Sequence, residues 1–365
     1  MMNEQQLAAV EAHGEVFVSA GAGTGKTSVL VERFVRSVCD EGLDVESVLV
    51  ITYTRKAAGE LRARIRAALR SRGRADLARS LDGAWISTIH GFCSRLLRAH
   101  PFAVGIDPRF RELDEEQGAV LRGEAFERAL GRFCADRDAE RLRLLATYGA
   151  AGLRRMLTGV YETLRSAGRD LQLELGAHAG VPERLDELHT EARALLAAGG
   201  ATEKNVAAAN AALALATTNP EQLLDLSGLK AHGDRAAAFD GARKRLEQAA
   251  FDELALRDKE LLQELLDLFA DEYAAAKQRE SALDFEDLQL FARNLLRTSD
   301  DVREREQLRF RAIMVDEFQD TNRLQTEIID LLRAGPGAAE VFFVGDEFQS
   351  IYGFRHADVA VFRER

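Results

Sequence analysis

Val315-Asp316-Glu317-Phe318-Gln319-Asp320-Thr321 closes an apolar run, Ala312-Ile313-Met314-Val315, with two adjacent carboxylates. A strand that delivers acids at its C-terminal end puts them on the edge of a parallel sheet where ligands bind. The counterpart of this stretch lies near the other end of the chain. Ala20-Gly21-Ala22-Gly23-Thr24-Gly25-Lys26-Thr27 follows the apolar run Glu15-Val16-Phe17-Val18-Ser19 and precedes apolar positions at helical spacing, Val29, Leu30, Phe34 and Val38. Strand, small-residue loop and helix make the context in which backbone N–H groups and a helix N-terminus converge on a phosphate. Ala20 stands where the general pattern has glycine, and it is small enough to fit.

Each residue type in these two stretches has a reason. Lys26 supplies a point charge for the β- and γ-phosphates of ATP, and the Thr27 hydroxyl ligates Mg2+. Asp316 holds the same ion, directly or through water, while Glu317 orients and deprotonates an attacking water. The two halves stand at positions 26 and 316, much farther apart than one nucleotide-binding core requires. A large insertion between them is expected.

The pattern along the chain agrees. Val48-Leu49-Val50-Ile51-Thr52 and Trp85-Ile86-Ser87-Thr88-Ile89 read as further strands, each followed by helical spacing, as does Glu340-Val341-Phe342-Phe343-Val344 late in the chain. Alternating strands and helices predict an α/β layer with a parallel sheet. Between about Leu113 and Ala282 strand signals almost vanish and amphipathic helical ones dominate, including one long helix over 258–278. The expected organisation is a discontinuous core, 1–110 and 280–365, interrupted by an all-helical domain, 111–279. The alanine-rich stretch 192–218 reads either as a helical hairpin or as a loosely ordered surface. The last residues, 358–365, read as an uncapped helix, so a longer parent protein is expected.

Composition narrows the class. The 46% hydrophobic and 30% charged content is that of a globular protein, and no apolar stretch approaches the ~20 residues that span a bilayer. Cys39, Cys93 and Cys134 are scattered, as expected of small buried thiols in the reducing cytoplasm. The net charge of −11 argues weakly against a nucleic-acid partner, but phosphate contacts depend on local charge. Between Arg55 and Arg74 there are eight basic residues against one acid, Glu60, which is either a phosphate-facing stripe or a solvated helix face.

Three more clusters sit at strand ends. Thr52-Tyr53-Thr54-Arg55 offers hydroxyls, an aromatic ring and a cation suited to single-stranded nucleic acid. Ser87-Thr88-Ile89-His90 is placed similarly, His90 either touching a strand or hydrogen-bonding locally. In Val344-Gly345-Asp346-Glu347-Phe348-Gln349-Ser350-Ile351-Tyr352, Gln349 is positioned to sense a γ-phosphate. Tyr352, Phe354 and Arg355 suit either base stacking or core packing.

Taken in order, these motifs resemble the superfamily 1 DNA helicases of the UvrD/Rep group, and more closely their RecB and AddA branch. The resemblance rests on NEQQLAAV (3–10), AGAGTGKT (20–27), TYTRKAA (52–58), STIHGFC (87–93), VDEFQDTN (315–322) and VGDEFQSIYGFRHAD (344–358), with LDFEDL (283–288) after the insertion. It implies a RecA-like fold, ATP and Mg2+ as ligands, and 3′-to-5′ movement on single-stranded DNA in repair or recombination. Gln6 would read the adenine edge. Thr52, Tyr53, Arg55, Thr88, His90, Tyr352, Phe354 and Arg355 would line the DNA path. Tyr53 replaces a common Phe, and His356 a common Gly. The family's later motifs, on a second RecA-like domain that supplies arginines to the γ-phosphate, have no counterpart in this sequence, nor has the branch's nuclease domain. The chain therefore reads as the ATP-binding part of a helicase, incomplete in activity by itself. The alternative is an ATP-responsive single-strand-binding module without motor activity.

Overall fold

The computed structural model describes residues 2–21, 24–174, 179–198, 200–334 and 339–346. Its strands are β1 (Glu15–Ser19), β2 (Val48–Thr52), β3 (Trp85–Thr88), β4 (Arg111–Glu112), β5 (Ala282–Leu283), β6 (Ala312–Val315) and β7 (Glu340–Gly345). Five of them form one sheet in the order β1-β7-β6-β2-β3, and every pairing in it is parallel. β4 and β5 form a separate parallel pair. The α/β class expected from the sequence is the class observed.

The central strands β2, β6 and β7 are buried on both faces, which explains their nearly continuous apolar runs. Leu49, Ile51, Ile313, Val315, Val341 and Phe343 point to one face and join a core with Phe92, Leu288, Leu295, Ile328 and Leu332. Their neighbours Val48, Val50, Ala312, Met314, Phe342 and Val344 point to the other, against Leu30, Phe34, Leu61 and Ile65. One face is thus covered by the helices Ile89–Ala99, Phe285–Thr298 and Arg323–Arg333, the other by Lys26–Cys39 and Arg55–Ser71. Cys93 lies inside the first core, where burial pushes its thiol far above the ordinary range.

The chain divides into two compact units. One comprises 1–128, 154–171 and 270–365, and the other 129–153 and 172–269. Residues 111–128, 154–171 and 270–279, expected in the insertion, cluster with the sheet-bearing unit. Within the second unit the alanine-rich stretch is helical: Val181–Ala197 and Glu203–Leu213 bury Ala192, Leu195, Ala208, Ala209 and Ala212 in a core shared with Phe239 and Leu246. The long helix runs from Ala237 to Arg279, starting well before the expected position 258. Its first part buries Ala242, Ala249 and Ala250 beside Phe239, Leu246 and Leu254, and the alanines weaken the apolar stripe in sequence. Among the described residues no helix is long and apolar enough to cross a membrane.

Candidate nucleotide and nucleic-acid site

Parallel register brings the strand ends to one edge. Ser19 pairs with Gly345, Thr52 with Thr88, and Val315 with Ile51 on one side and Phe343 on the other. The segments that follow β1, β7, β6, β2 and β3 are the motif segments read from the sequence. Of the predicted site residues, Ala22, Gly23, Gln349, Tyr352, Phe354 and Arg355 lie outside the described residues.

The phosphate loop turns into its helix at Gly25, the N-cap of Lys26–Cys39, with φ +88° and ψ +20°. Only glycine adopts that conformation cheaply, and a Cβ there would stand 3.0 Å from Gln6 Nε2. Ala20 N–H donates to Gly345 O at 3.1 Å, and the Thr24 hydroxyl donates to Gly21 O at 2.7 Å. Gln6 braces the loop from outside: its Nε2 donates to Thr24 O at 2.7 Å while its Oε1 accepts from Asn3 N–H at 2.9 Å. Lys26 and Thr27 occupy the first turn of the helix, where the uncapped N–H groups favour an anion.

Across from the loop, Lys26 Nζ stands 3.7 Å from Glu317 Oε2. Asp316 N–H donates to Ile51 O at 2.9 Å, extending the β6–β2 ladder by one residue. Glu317 then leaves the strand with φ +54° and ψ +45°, a left-handed conformation rare for a residue with a side chain. Such outliers persist where surrounding structure holds them and cluster at functional sites. Gln319 Nε2 donates to Glu317 Oε2 at 2.7 Å, and Gln319 Oε1 accepts from Asp346 N–H at 2.9 Å.

Three carboxylates, Asp316, Glu317 and Asp320, gather near Lys26. Burial first, then the neighbouring Glu317 charge, push Asp316 up to about 6, against the pull of Glu317 N–H, Lys26 and Arg64. Burial and Glu317 likewise push Asp320 up to about 6, and its Oδ1 is buried without a hydrogen-bond partner. No group of three or more His, Cys, Asp or Glu among the described residues is arranged to hold a metal alone. Mg2+ needs no such cage, since it binds one or two carboxylates and completes its shell with water and nucleotide phosphates. Thr27 and Asp316 offer that donor set, and a divalent cation would relieve the crowded negative charge.

The pH dependence follows in sign. Both acids titrate above their unfolded values near 4, so they stabilise the nucleotide-free protein at low pH, and that contribution disappears as pH rises through about 6. Magnesium requires the ionised carboxylate, so the stabilisation by Mg-ATP runs the other way. Melting curves with and without Mg-ATP are expected to show a larger ligand-induced shift at about pH 7.5 than at about pH 5.

The residues expected at the DNA path are placed as follows. Thr52 is buried, and its hydroxyl oxygen is buried without a hydrogen-bond partner. Tyr53 follows it half-buried, and the Thr54 hydroxyl accepts from Ala57 N–H at 3.0 Å, capping the basic helix. Arg55 is exposed and bonds Glu112 at 2.8 Å. Thr88 caps its own helix, its hydroxyl accepting from Gly91 N–H at 3.1 Å. His90 Nε2 lies 2.9 Å from Gln289 Nε2, and its ring centre is 4.8 Å from that of Phe285. The LDFEDL segment thereby meets the third strand end. Its turn is fixed by Lys277, 2.8 Å from Asp284 and 2.5 Å from Asp287.

Much of the basic run serves internal contacts. Arg62 donates to Ile86 O, Arg66 pairs with Asp82, Arg72 with Glu32 and Asp40, and Arg74 with Asp76. Two residues take roles at the site that the sequence reading does not give them. Glu112 accepts from Ser94 as well as Arg55, and Gln319 holds the Glu317 carboxylate. Gln319 lies within the VDEFQDTN motif and Glu112 in none, but the role of each is defined by partners brought together in the fold.

A phosphate loop on β1, acids on β6 and a parallel sheet with β7 between them define a RecA-like nucleotide-binding domain. The chain belongs to the UvrD/REP helicase family, whose N-terminal domain matches residues 2–365. Among its relatives, an ATP-dependent helicase/nuclease subunit of Pelotomaculum thermopropionicum is 30% identical over 99% of this chain and 35% of its own length. Proteins with the same description from Lactobacillus delbrueckii subsp. bulgaricus (31% identical, 98% of this chain, 36% of theirs) and Acetivibrio thermocellus (28%, 100% and 36%) are similar too. The likeness read from the motifs, to the UvrD/Rep group and its RecB/AddA side, therefore holds. The chain spans about a third of the length of these relatives.

Proposed function

We propose that this chain is the ATP-binding part of an ATP-dependent DNA helicase that moves 3′ to 5′ on single-stranded DNA in repair or recombination. The observation that carries the proposal is the approach of Lys26 to Glu317 across the phosphate loop, with Asp316 beside them. In this reading Lys26 and the loop from Ala20 to Thr27 hold the phosphates of ATP, and Thr27 and Asp316 hold Mg2+. Glu317 accepts a proton from water as its oxygen bonds the γ-phosphorus and the bond to ADP breaks. Gln349 senses the γ-phosphate, and Gln6 braces the loop beside the adenine. Arginines from a second RecA-like domain would complete the charge stabilisation, an effect of about 10³–10⁵ in rate in related phosphoryl transfer. A nuclease domain or separate nuclease chain is a further proposed partner, since the relatives' descriptions name that activity.

Single-stranded DNA would run over the ends of β2 and β3, across Thr52, Tyr53, Arg55, Thr88 and His90, with Tyr352, Phe354 and Arg355 continuing the path. Support comes from the shared sheet edge and the exposure of Arg55. Fluorescence anisotropy with labelled oligonucleotides is the test. Affinity is expected to fall as salt rises, by about 0.7 logarithmic units per tenfold salt for each phosphate neutralised, with little sequence preference. Salt-independent binding, or tighter binding to duplex, would argue against this path.

A further inference from the structure

We infer that Gln319 is the positioning residue for the Glu317 carboxylate and ties that carboxylate to the end of β7. The inference deepens the proposed function and rests on Glu317 acting as the base.

Glu317 needs such a partner. Its backbone turns through the left-handed region immediately after β6, and its side chain is 37% exposed, so packing alone does not fix its carboxylate. Gln319, by contrast, is 2% exposed, and both ends of its amide are engaged. The orientation of that amide follows from its neighbours. Asp346 N–H can only donate, so the oxygen must face it, which leaves Nε2 to donate to Glu317 Oε2. A donor to an ionised carboxylate makes a charge-assisted bond, stronger and shorter than a neutral one. The Lys26 ammonium, at 3.7 Å, is the weaker restraint and is the group expected to turn to phosphate when nucleotide binds.

The side-chain type is specific. Leucine would make neither bond, and asparagine is one methylene short of spanning both. Glutamate would keep an oxygen for Asp346 N–H but set a second negative charge against Glu317. Since Asp346 stands at the end of β7, a shift of that strand end moves the amide oxygen's anchor and, with it, the donor on the base. Gln319 thus couples the end of one strand to the carboxylate at the end of its neighbour. Displacing a reacting group by about 1 Å costs on the order of 100-fold in rate.

The test compares Gln319→Glu and Gln319→Leu with Glu317→Gln and with the double variant Gln319→Leu/Glu317→Gln. Readouts are Mg-ATP affinity by calorimetry, single-turnover cleavage of γ-labelled ATP with protein in excess, and melting temperature. Both Gln319 variants are expected to cleave roughly 10- to 100-fold more slowly while binding Mg-ATP within about twofold of the unsubstituted chain. Added to Glu317→Gln, Gln319→Leu is expected to bring little further loss, since it acts through the group already removed. Cleavage at the unsubstituted rate, a loss that adds in full to that of Glu317→Gln, or a loss that tracks affinity and melting temperature would overturn the role. Gln319→Glu decides the matter if Gln319→Leu fails to fold. Failure of the unsubstituted chain to bind Mg-ATP would instead overturn the proposed function. Cleavage undiminished in Glu317→Gln would remove Glu317 as the base and Gln319's role with it.

Discussion

Lys26→Ala is expected to lower Mg-ATP affinity by on the order of 100-fold or more, which in calorimetry at micromolar protein reads as loss of binding. Two charge-assisted contacts to phosphate contribute about 1.5 kcal/mol each, and each 1.4 kcal/mol is a factor of ten. Lys26 lies at the first turn of its helix, and its Nζ already faces a carboxylate that the γ-phosphate would compete with. The substitution also removes a cation that holds down the titration of Asp316 and Asp320. Both acids should then titrate higher still. Equal affinity in the two proteins would mean that the loop does not hold the phosphates.

Glu317→Gln has the opposite profile. It is expected to retain Mg-ATP and to lose about 10²–10⁴ in cleavage rate, the usual contribution of a positioned general base. Binding should be at least as tight as in the unsubstituted chain, because Glu317 is one of the charges that push Asp316 and Asp320 up. Without it both carboxyls ionise more readily, and the gain in affinity should be larger near pH 6 than near pH 8. Calorimetry across pH, paired with single-turnover cleavage, separates the two effects. Parallel loss of binding and cleavage would assign Glu317 to holding the ligand.

The strands and the paired acids were legible because each is written in local sequence. Residues 48–51 and Ala312–Val315 are apolar at every position, as expected of strands covered on both faces. The glycine loop and the Asp-Glu pair carry their chemistry in residue type. The basic run shows what local reading lacks. Its arginines count as charge in sequence, but Arg66 and Arg72 find Asp82, Glu32 and Asp40 only once helices pack. Gln319 is harder still, since one of its partners is the backbone N–H of residue 346, which no side-chain pattern reveals. The start of the long helix at Ala237 is harder to read because Ala242, Ala249 and Ala250 share its buried face with Phe239 and Leu246 and thin out the apolar pattern.

The strand order has a consequence for how the protein is made. β1 pairs only with β7 among the described residues, so the strand that carries the phosphate loop waits for residues 340–345 before its ladder can form. During synthesis β1 would stay an open edge until β7 has emerged, a condition that favours aggregation. The unit built from 129–153 and 172–269 has its own core and needs nothing from β7. Synthesis would thus complete the helical unit while the ATP site is still in two pieces. Nascent chains stalled before residue 340 are expected to protect the helical unit from protease and to leave the segment around β1 cleavable, with protection of that segment arriving only after residue 345 is released.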